Sequence, residues 1–135
     1  MATLFKLSVV APDRTVVEEQ VQSLVAPAIN GYLGVMANHT PVIAALRTGL
    51  LEYRDSQGQQ HFVSIAGGFL EVSDNAAIIL AEDAQLANEI DVKEWESRLE
   101  TARKALRGED SSMTSEQATQ EIELAVNRIK AARLK

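Results

Sequence analysis

The chain has no cysteine. Disulfide bridges, thiolate metal sites and a cysteine nucleophile are therefore excluded, which fits a reducing compartment. Histidine is nearly as scarce. His39 and His61 are the only two, and neither lies among enough further ligands for a transition-metal site. Aromatic residues make up 4% of the sequence, so Val, Ile, Leu and Ala must fill most of any core. Basic charge is in deficit, and the formal net charge is −6. That balance argues against generic nucleic-acid binding, which needs a cationic surface to displace counterions. Long apolar runs are missing too. No stretch approaches membrane-spanning length, and the segment from Met1 to Lys6 lacks the apolar core of a signal peptide. The expectation is a soluble chain that is not exported.

What remains is 135 residues with 46% apolar content, enough for one compact core or a small domain with an appendage. The pattern divides in two. From Leu4 to about Asp83 apolar residues alternate: Phe5, Leu7 and Val9; then Leu51 and Tyr53; then Leu70 and Val72. Turn signals at Asp13-Arg14, Asp55-Ser56-Gln57-Gly58 and Asp74-Asn75 separate these runs, and Ala76 to Leu80 reads as a buried final strand. Short strands at this spacing predict an antiparallel β-sandwich or barrel. The run Pro41 to Leu46 fits either a strand or a helical turn, because short apolar runs do not decide between them.

After Asn88 the period changes. Asp91 reads as an N-cap, and Glu94 three residues on completes an Asp variant of the capping box. Val92, Trp95, Leu99, Ala102 and Leu106 then form one helical stripe, stopped by Gly108-Glu109-Asp110-Ser111-Ser112. Thr114 with Gln117 makes a second capping box, and Ala118, Ile122, Ala125, Ile129 and Ala132 form a second stripe. Two striped helices with a short polar connection predict an antiparallel hairpin. The expected division is a β-sandwich over 1–88 and a helical hairpin over 89–135.

The second stripe is rich in alanine, and burying alanine removes little area at roughly 25 cal/mol per Å². Ordering each residue costs about 1–2 kcal/mol, so the hairpin must lean on the β domain or on a partner. Two readings stay open: a fixed appendage, or a switch whose two placements differ by a few kcal/mol.

The stretch Gly31-Tyr32-Leu33-Gly34-Val35-Met36-Ala37-Asn38-His39-Thr40-Pro41 has the grammar of a β corner. It specifies backbone path more than chemistry. His39 has no Ser or Asp partner at a recognisable spacing, so an enzyme or ligand binder built on it is the weaker reading. His61 falls in a strand pattern and is expected at the surface. Gly31, Gly34, Gly67 and Gly68 match no phosphate-binding loop. Charge placement says more. Arg128, Lys130, Arg133 and Lys135 are basic among the last eight residues, while Glu116, Glu121 and Glu123 lie upstream in the same helix. Helix-dipole complementarity accounts for that order, as does a basic tip that docks on an acidic partner.

Taken in order, Gly31-Tyr32-Leu33-Gly34-Val35, Asn38-His39-Thr40-Pro41, Leu46-Arg47-Thr48-Gly49-Leu50, Gly67-Gly68-Phe69-Leu70-Glu71-Val72 and Ile90-Asp91 resemble the signature of the ε subunit of F-type ATP synthases. The likeness spans nearly the whole chain. It implies a β-sandwich joined to a helical hairpin in the rotating central stalk, a non-catalytic part that couples ring rotation to the catalytic head. By the resemblance, Asn30, Gly31 and Tyr32 face the membrane-embedded c-ring, although many relatives carry an acidic residue at the Tyr32 position. His39, Thr40, Pro41 and Val42 match a surface near the γ subunit. In an extended hairpin, Arg128, Lys130 and Arg133 would meet an acidic segment of the catalytic β subunits and block ATP hydrolysis.

Some relatives bind ATP through Ile/Leu-Asp-x-x-Arg-Ala. Here the motif is degenerate: Ile90 and Asp91 are kept, but Glu94 replaces the arginine and Trp95 the alanine. An acid repels a triphosphate and the larger ring crowds its site, so ATP binding is expected to be weak or absent, with no other cofactor. The resemblance also implies a peripheral location on the cytoplasmic face of a bacterial inner membrane.

Overall fold

The computed structural model describes residues 3–134. Met1, Ala2 and Lys135, the last of them counted above among the basic residues, lie outside the described residues. Strands β1 (Phe5–Ala11), β2 (Arg14–Ala28), β3 (Gly31–Met36), β4 (Val42–Asp55), β5 (Gln60–Ser73), β6 (Ala76–Ala81) and β7 (Ala84–Leu86) come first. A 3-10 turn at Ala87–Glu89 then leads to helices α1 (Val92–Leu106) and α2 (Ser115–Leu134).

The alternation read from the sequence is the alternation of burial. Phe5, Leu7, Val9 and Ala11 on β1 all face inward, as do Ala77, Ile79 and Ala81 on β6. The sheet order is β1-β6-β5-β4-β2-β3, and a further β1–β2 pairing closes β1, β6, β5, β4 and β2 into a flattened barrel. This is the expected β-sandwich with one difference: β1 and β6 pair in parallel, whereas the other pairings are antiparallel. Closure removes most free edges, which leaves β3 as an outer strand paired with β2 alone. The run Val42 to Leu46 is strand, because it pairs residue for residue with Gly68 to Val72.

Strands β4 and β5 each serve two layers. On β5 the core positions are Val63 and Ile65 before Gly67-Gly68, then Leu70 and Val72 after them. On β4 they are Leu46, then Leu51 and Tyr53. A strand's side-chain period is two, so this change of parity requires a bend in the backbone. Gly68 is where it happens on β5. Its φ is +134°, and a Cβ there would run into the backbone of Leu80 and Ala81.

The second cap forms as a full box, whereas the first forms by half: Asp91 caps, but the Glu94 side chain lies beside Arg98 (4.0 Å). Asp91 accepts from the N–H groups of Lys93 (3.1 Å) and Glu94 (3.4 Å). Thr114 and Gln117 cap each other reciprocally, at 2.9 and 3.1 Å. Helix α1 ends at Gly108 (φ 79°), whose N–H donates to the Ala105 carbonyl while that of Glu109 donates to Lys104. These two bonds make a Schellman stop. The hairpin lies across the outer side of β4 and β5. Ala87, Ile90, Trp95, Ala125, Ile129, Ala131 and Ala132 form a cluster there, backed by Leu50 and Phe62. A small second cluster of Ala102, Ala105 and Ala118 closes the helix pair. One stripe position differs from expectation: Ala105 is buried and Leu106 exposed. Near the stop of α1 the contact face is turned toward α2, where Ala105 packs with Ala102 and Ala118.

Candidate functional site

The loop Asn38-His39-Thr40-Pro41 is tied to the β5–β6 turn by one side chain. Asn75 Oδ1 accepts from the Asn38 N–H (2.7 Å), while Asn75 Nδ2 donates to the Leu4 carbonyl (3.0 Å). Asp74 and Asn75 both have positive φ, so the two-residue turn is tight and holds that bridge rigidly. His39 Nδ1 donates to the Thr40 carbonyl at 2.7 Å, a local contact that shapes the loop. That bond joins His39 to no carboxylate, and catalytic geometry is not assembled around it.

Next to this loop lies an apolar surface that the sequence reading missed. Ile43 (73% exposed), Phe69 (60%) and Leu80 (57%) stand outward with Ile78. Register makes them neighbours: Ile43 lies opposite Glu71, Glu71 opposite Ile78, and Phe69 opposite Leu80. Val42 begins the strand that carries Ile43, so loop and patch are continuous. The signal was present, because Phe69 precedes the core position Leu70 and Leu80 follows Ile79. A strand run that is apolar on both faces marks an outer face that seeks cover.

A second exposed corner holds Ile29, Asn30, Gly31 and Tyr32, with the Arg47 guanidinium 5.0 Å from the Tyr32 ring centroid. It lies at the β2–β3 turn, and the Ile29 N–H donates to the Ala45 carbonyl at 3.0 Å.

His61 corrects an expectation, for it is half-buried. Its ring stacks on Tyr53 with centroids 4.9 Å apart, and its Nε2 lies 2.8 Å from Asp55 Oδ2. Asp55 Oδ1 accepts from the N–H groups of Gln57 (2.9 Å) and Gln59 (3.0 Å), so the pair staples the β4–β5 turn. The His61 hydrogen bond, followed by that from the Gln59 N–H, holds the Asp55 carboxyl below the usual carboxylate range. Burial, then the neighbouring Glu19 carboxylate, pushes the Tyr53 phenol well above its ordinary value, so Tyr53 is a neutral donor to Glu19 at 3.4 Å.

The C-terminal cations separate. Lys130 and Arg133 are exposed on α2, where they line an open groove of about 380 Å³ with Glu96, Leu99 and Val126, and Lys130 also borders Tyr32, Leu50 and Phe62 of the barrel. Arg128 is not with them. It is 1% exposed and turned toward the barrel, where its Nη2 pairs with the Asp83 carboxylate and its Nη1 lies 3.4 Å from the Ser64 carbonyl. Its guanidinium also lies 5.2 Å from the Trp95 ring centroid. Helical geometry explains the split: at 3.6 residues per turn, Arg128 points about 200° away from Lys130 and about 140° from Arg133. Asn127 adds a second anchor, donating from Nδ2 to the Gly49 carbonyl (2.7 Å) and to Ser64 Oγ (2.9 Å).

At the degenerate nucleotide motif, Ile90 is buried, Asp91 is used as the cap of α1, and Trp95 fills the hairpin–barrel junction. Glu94 is exposed, 4.0 Å from Arg98.

A family model described as ATP synthase, Delta/Epsilon chain, beta-sandwich domain matches residues 4–87. An ATP synthase epsilon chain from Syntrophomonas wolfei is 40% identical over 128 residues, covering 95% of this chain and 93% of that protein. The chain belongs to the ATP synthase epsilon family. Another family member, from Desulforamulus reducens, is 35% identical, with 98% of this chain and 99% of that protein covered. Among solved structures, a chain of the Euglena gracilis mitochondrial ATP synthase, described as OSCP/F1/c-ring in rotational state 1, superposes with a TM-score of 0.75. It is 26% identical, with 100% of this chain and 84% of that chain covered. The family is that of a non-catalytic subunit, and its β-domain-plus-hairpin architecture is the one found here. No described helix is long and apolar enough to cross a membrane.

Proposed function

We propose that this chain is a rotor subunit of an F-type ATP synthase: its barrel anchors it to the central stalk, and its hairpin restrains ATP hydrolysis. The apolar surface of Ile43, Phe69, Ile78 and Leu80 beside the His39–Val42 loop carries this reading. A largely apolar face of this kind, interrupted by the exposed Glu71 between Ile43 and Ile78, suits a lasting protein contact, and the stalk's γ subunit is the partner assigned to it. The corner Asn30-Gly31-Tyr32 faces the c-ring, with Tyr32 and Arg47 in place of a simple acidic contact. The barrel thereby passes rotation, driven by proton or sodium flow, to the catalytic head, and the complex holds the chain at the membrane.

The hairpin is the regulatory part. Its outer cations Lys130 and Arg133 stand free for an acidic surface of the catalytic β subunits once α2 extends. Nucleotide does not govern that step. Asp91 is committed to its cap, Glu94 repels phosphate, and Trp95 occupies the space beside them, so ATP binding is weak or absent.

The test is reconstitution with a catalytic head lacking its own epsilon subunit. The Phe69→Ser, Leu80→Ser double variant should fail to bind while keeping its fold. The Lys130→Glu, Arg133→Glu variant should bind and lose inhibition. Full binding by the first variant would remove the anchoring assignment. Calorimetric titration of the isolated chain with ATP should give no heat of binding at millimolar nucleotide.

A further inference from the structure

Arg128 is the largest fully buried side chain of the described residues, and it sits where the hairpin meets the barrel. Its hydrogen-bonding partners come from the barrel alone: Asp83, in the turn between β6 and β7, and the Ser64 carbonyl on β5. Its Nε has no hydrogen-bond partner among the described residues. Asn127, the preceding residue, bonds to the barrel at Gly49 and Ser64. The apolar part of the α2 contact is mostly alanine, which makes it shallow.

Such an interface is suboptimal for permanent docking. A buried guanidinium is often no better than apolar side chains of the same volume, whereas removing the half-exposed carboxylate that compensates it is strongly unfavourable. Its useful property is reversibility, since a guanidinium leaving the barrel is solvated well and an apolar anchor is not. We propose that Arg128 and Asp83 form a clasp that sets how often the hairpin leaves the barrel. Arg128 thereby opposes the inhibitory state and is not one of its contacts. This assignment rests on the regulatory reading of the hairpin given above. It separates Arg128 from Lys130 and Arg133, which are exposed while the clasp is closed.

The clasp can be tested in the full chain with Asp83→Asn, Arg128→Gln and the double variant. Asp83 is half-exposed, so its isosteric replacement leaves the barrel intact, and the amides of β4 and β5 serve as an internal control. Native-state hydrogen exchange of α2 should speed up by about tenfold or more in each single variant. The double variant should go no faster than the singles, because both remove one interaction. Each single variant should also inhibit an epsilon-depleted catalytic head at lower concentration than the parent chain. Unchanged α2 exchange in both single variants would overturn the clasp. Relief of inhibition by Arg128→Gln, together with deeper inhibition by Asp83→Asn, would return Arg128 to the inhibitory contact and overturn its assignment here. If α2 exchange accelerates while neither parent nor variants affect hydrolysis, the clasp stands and the regulatory reading falls.

Discussion

The barrel and the hairpin are held by different physics. In the barrel, Leu7, Val9, Val21, Leu51, Val63, Ile65, Leu70 and Ile79 are wholly buried, and the ladder closes on itself through β1. Each of those side chains contributes roughly 1.5–3 kcal/mol on burial. In the hairpin, α2 brings Ala125, Ala131 and Ala132 with the larger Ile129 to the junction beside Trp95, around two polar anchors, Asn127 and Arg128. Alanine lets a helix come close to a sheet but contributes little on leaving water. The barrel is thus a body, and the hairpin is a lid resting on it. Opening therefore need not cost the barrel its core, which is the condition a movable regulator must meet.

The sharpest way to break that comparison is to damage each side separately. Leu70→Ala should lower global stability by about 3 kcal/mol, read by denaturant titration of the β signal, because it leaves a cavity in a core with no other support. Ala125→Leu should cost less, about 1–3 kcal/mol, and in a different place. It overfills the junction, so α2 should exchange faster while the strands keep their protection. Equal loss of protection in strands and helices would mean that the two parts unfold as one.

Smaller changes sharpen the contrast. Thr114→Ala removes half of the reciprocal cap and should destabilise α2 by about 1 kcal/mol, seen as fraying of its first turn with no change in the barrel. The smallest effect is expected from His61→Ala, and it should fade in acid. The Asp55 carboxyl is held low by His61 and then by the Gln59 N–H, so its ionised form favours the fold. That contribution is present above about pH 4 and is lost as pH falls through the lower folded value. The variant should therefore be slightly less stable than the parent at neutral pH, with the gap closing below about pH 4, read by denaturant titration at a series of pH values.

Much of this architecture was legible in the chain because local signals and tertiary packing agree. Phe5, Leu7 and Val9 alternate in sequence and in burial, and the caps at Asp91 and Thr114 form as their side chains predict. The segment from Val42 to Leu46 was ambiguous, since its strand character comes from its partner Gly68–Val72, far along the chain. The parity change at Gly67-Gly68 was equally hidden: a period-2 reading places Phe69 and Leu70 on opposite faces but does not say which is outside. The apolar candidate surface suffered from this. The patch of Ile43, Phe69, Ile78 and Leu80 uses the same residue types as the core, and only the folded sheet shows which ones are left exposed. Arg128 was grouped with Lys130 and Arg133 by charge, although the helical repeat alone sets it on the opposite side.

The central claim is that the barrel anchors and the hairpin restrains. The family model covers residues 4–87, and the barrel core is a cluster separate from the junction cluster, so a chain ending after Asn88 retains a complete core. The most direct measurement is ATP hydrolysis by an epsilon-depleted catalytic head titrated with the full chain and with that shortened chain. The account predicts that both bind and that only the full chain inhibits. Equal inhibition by the two would contradict it, because restraint would then belong to the barrel.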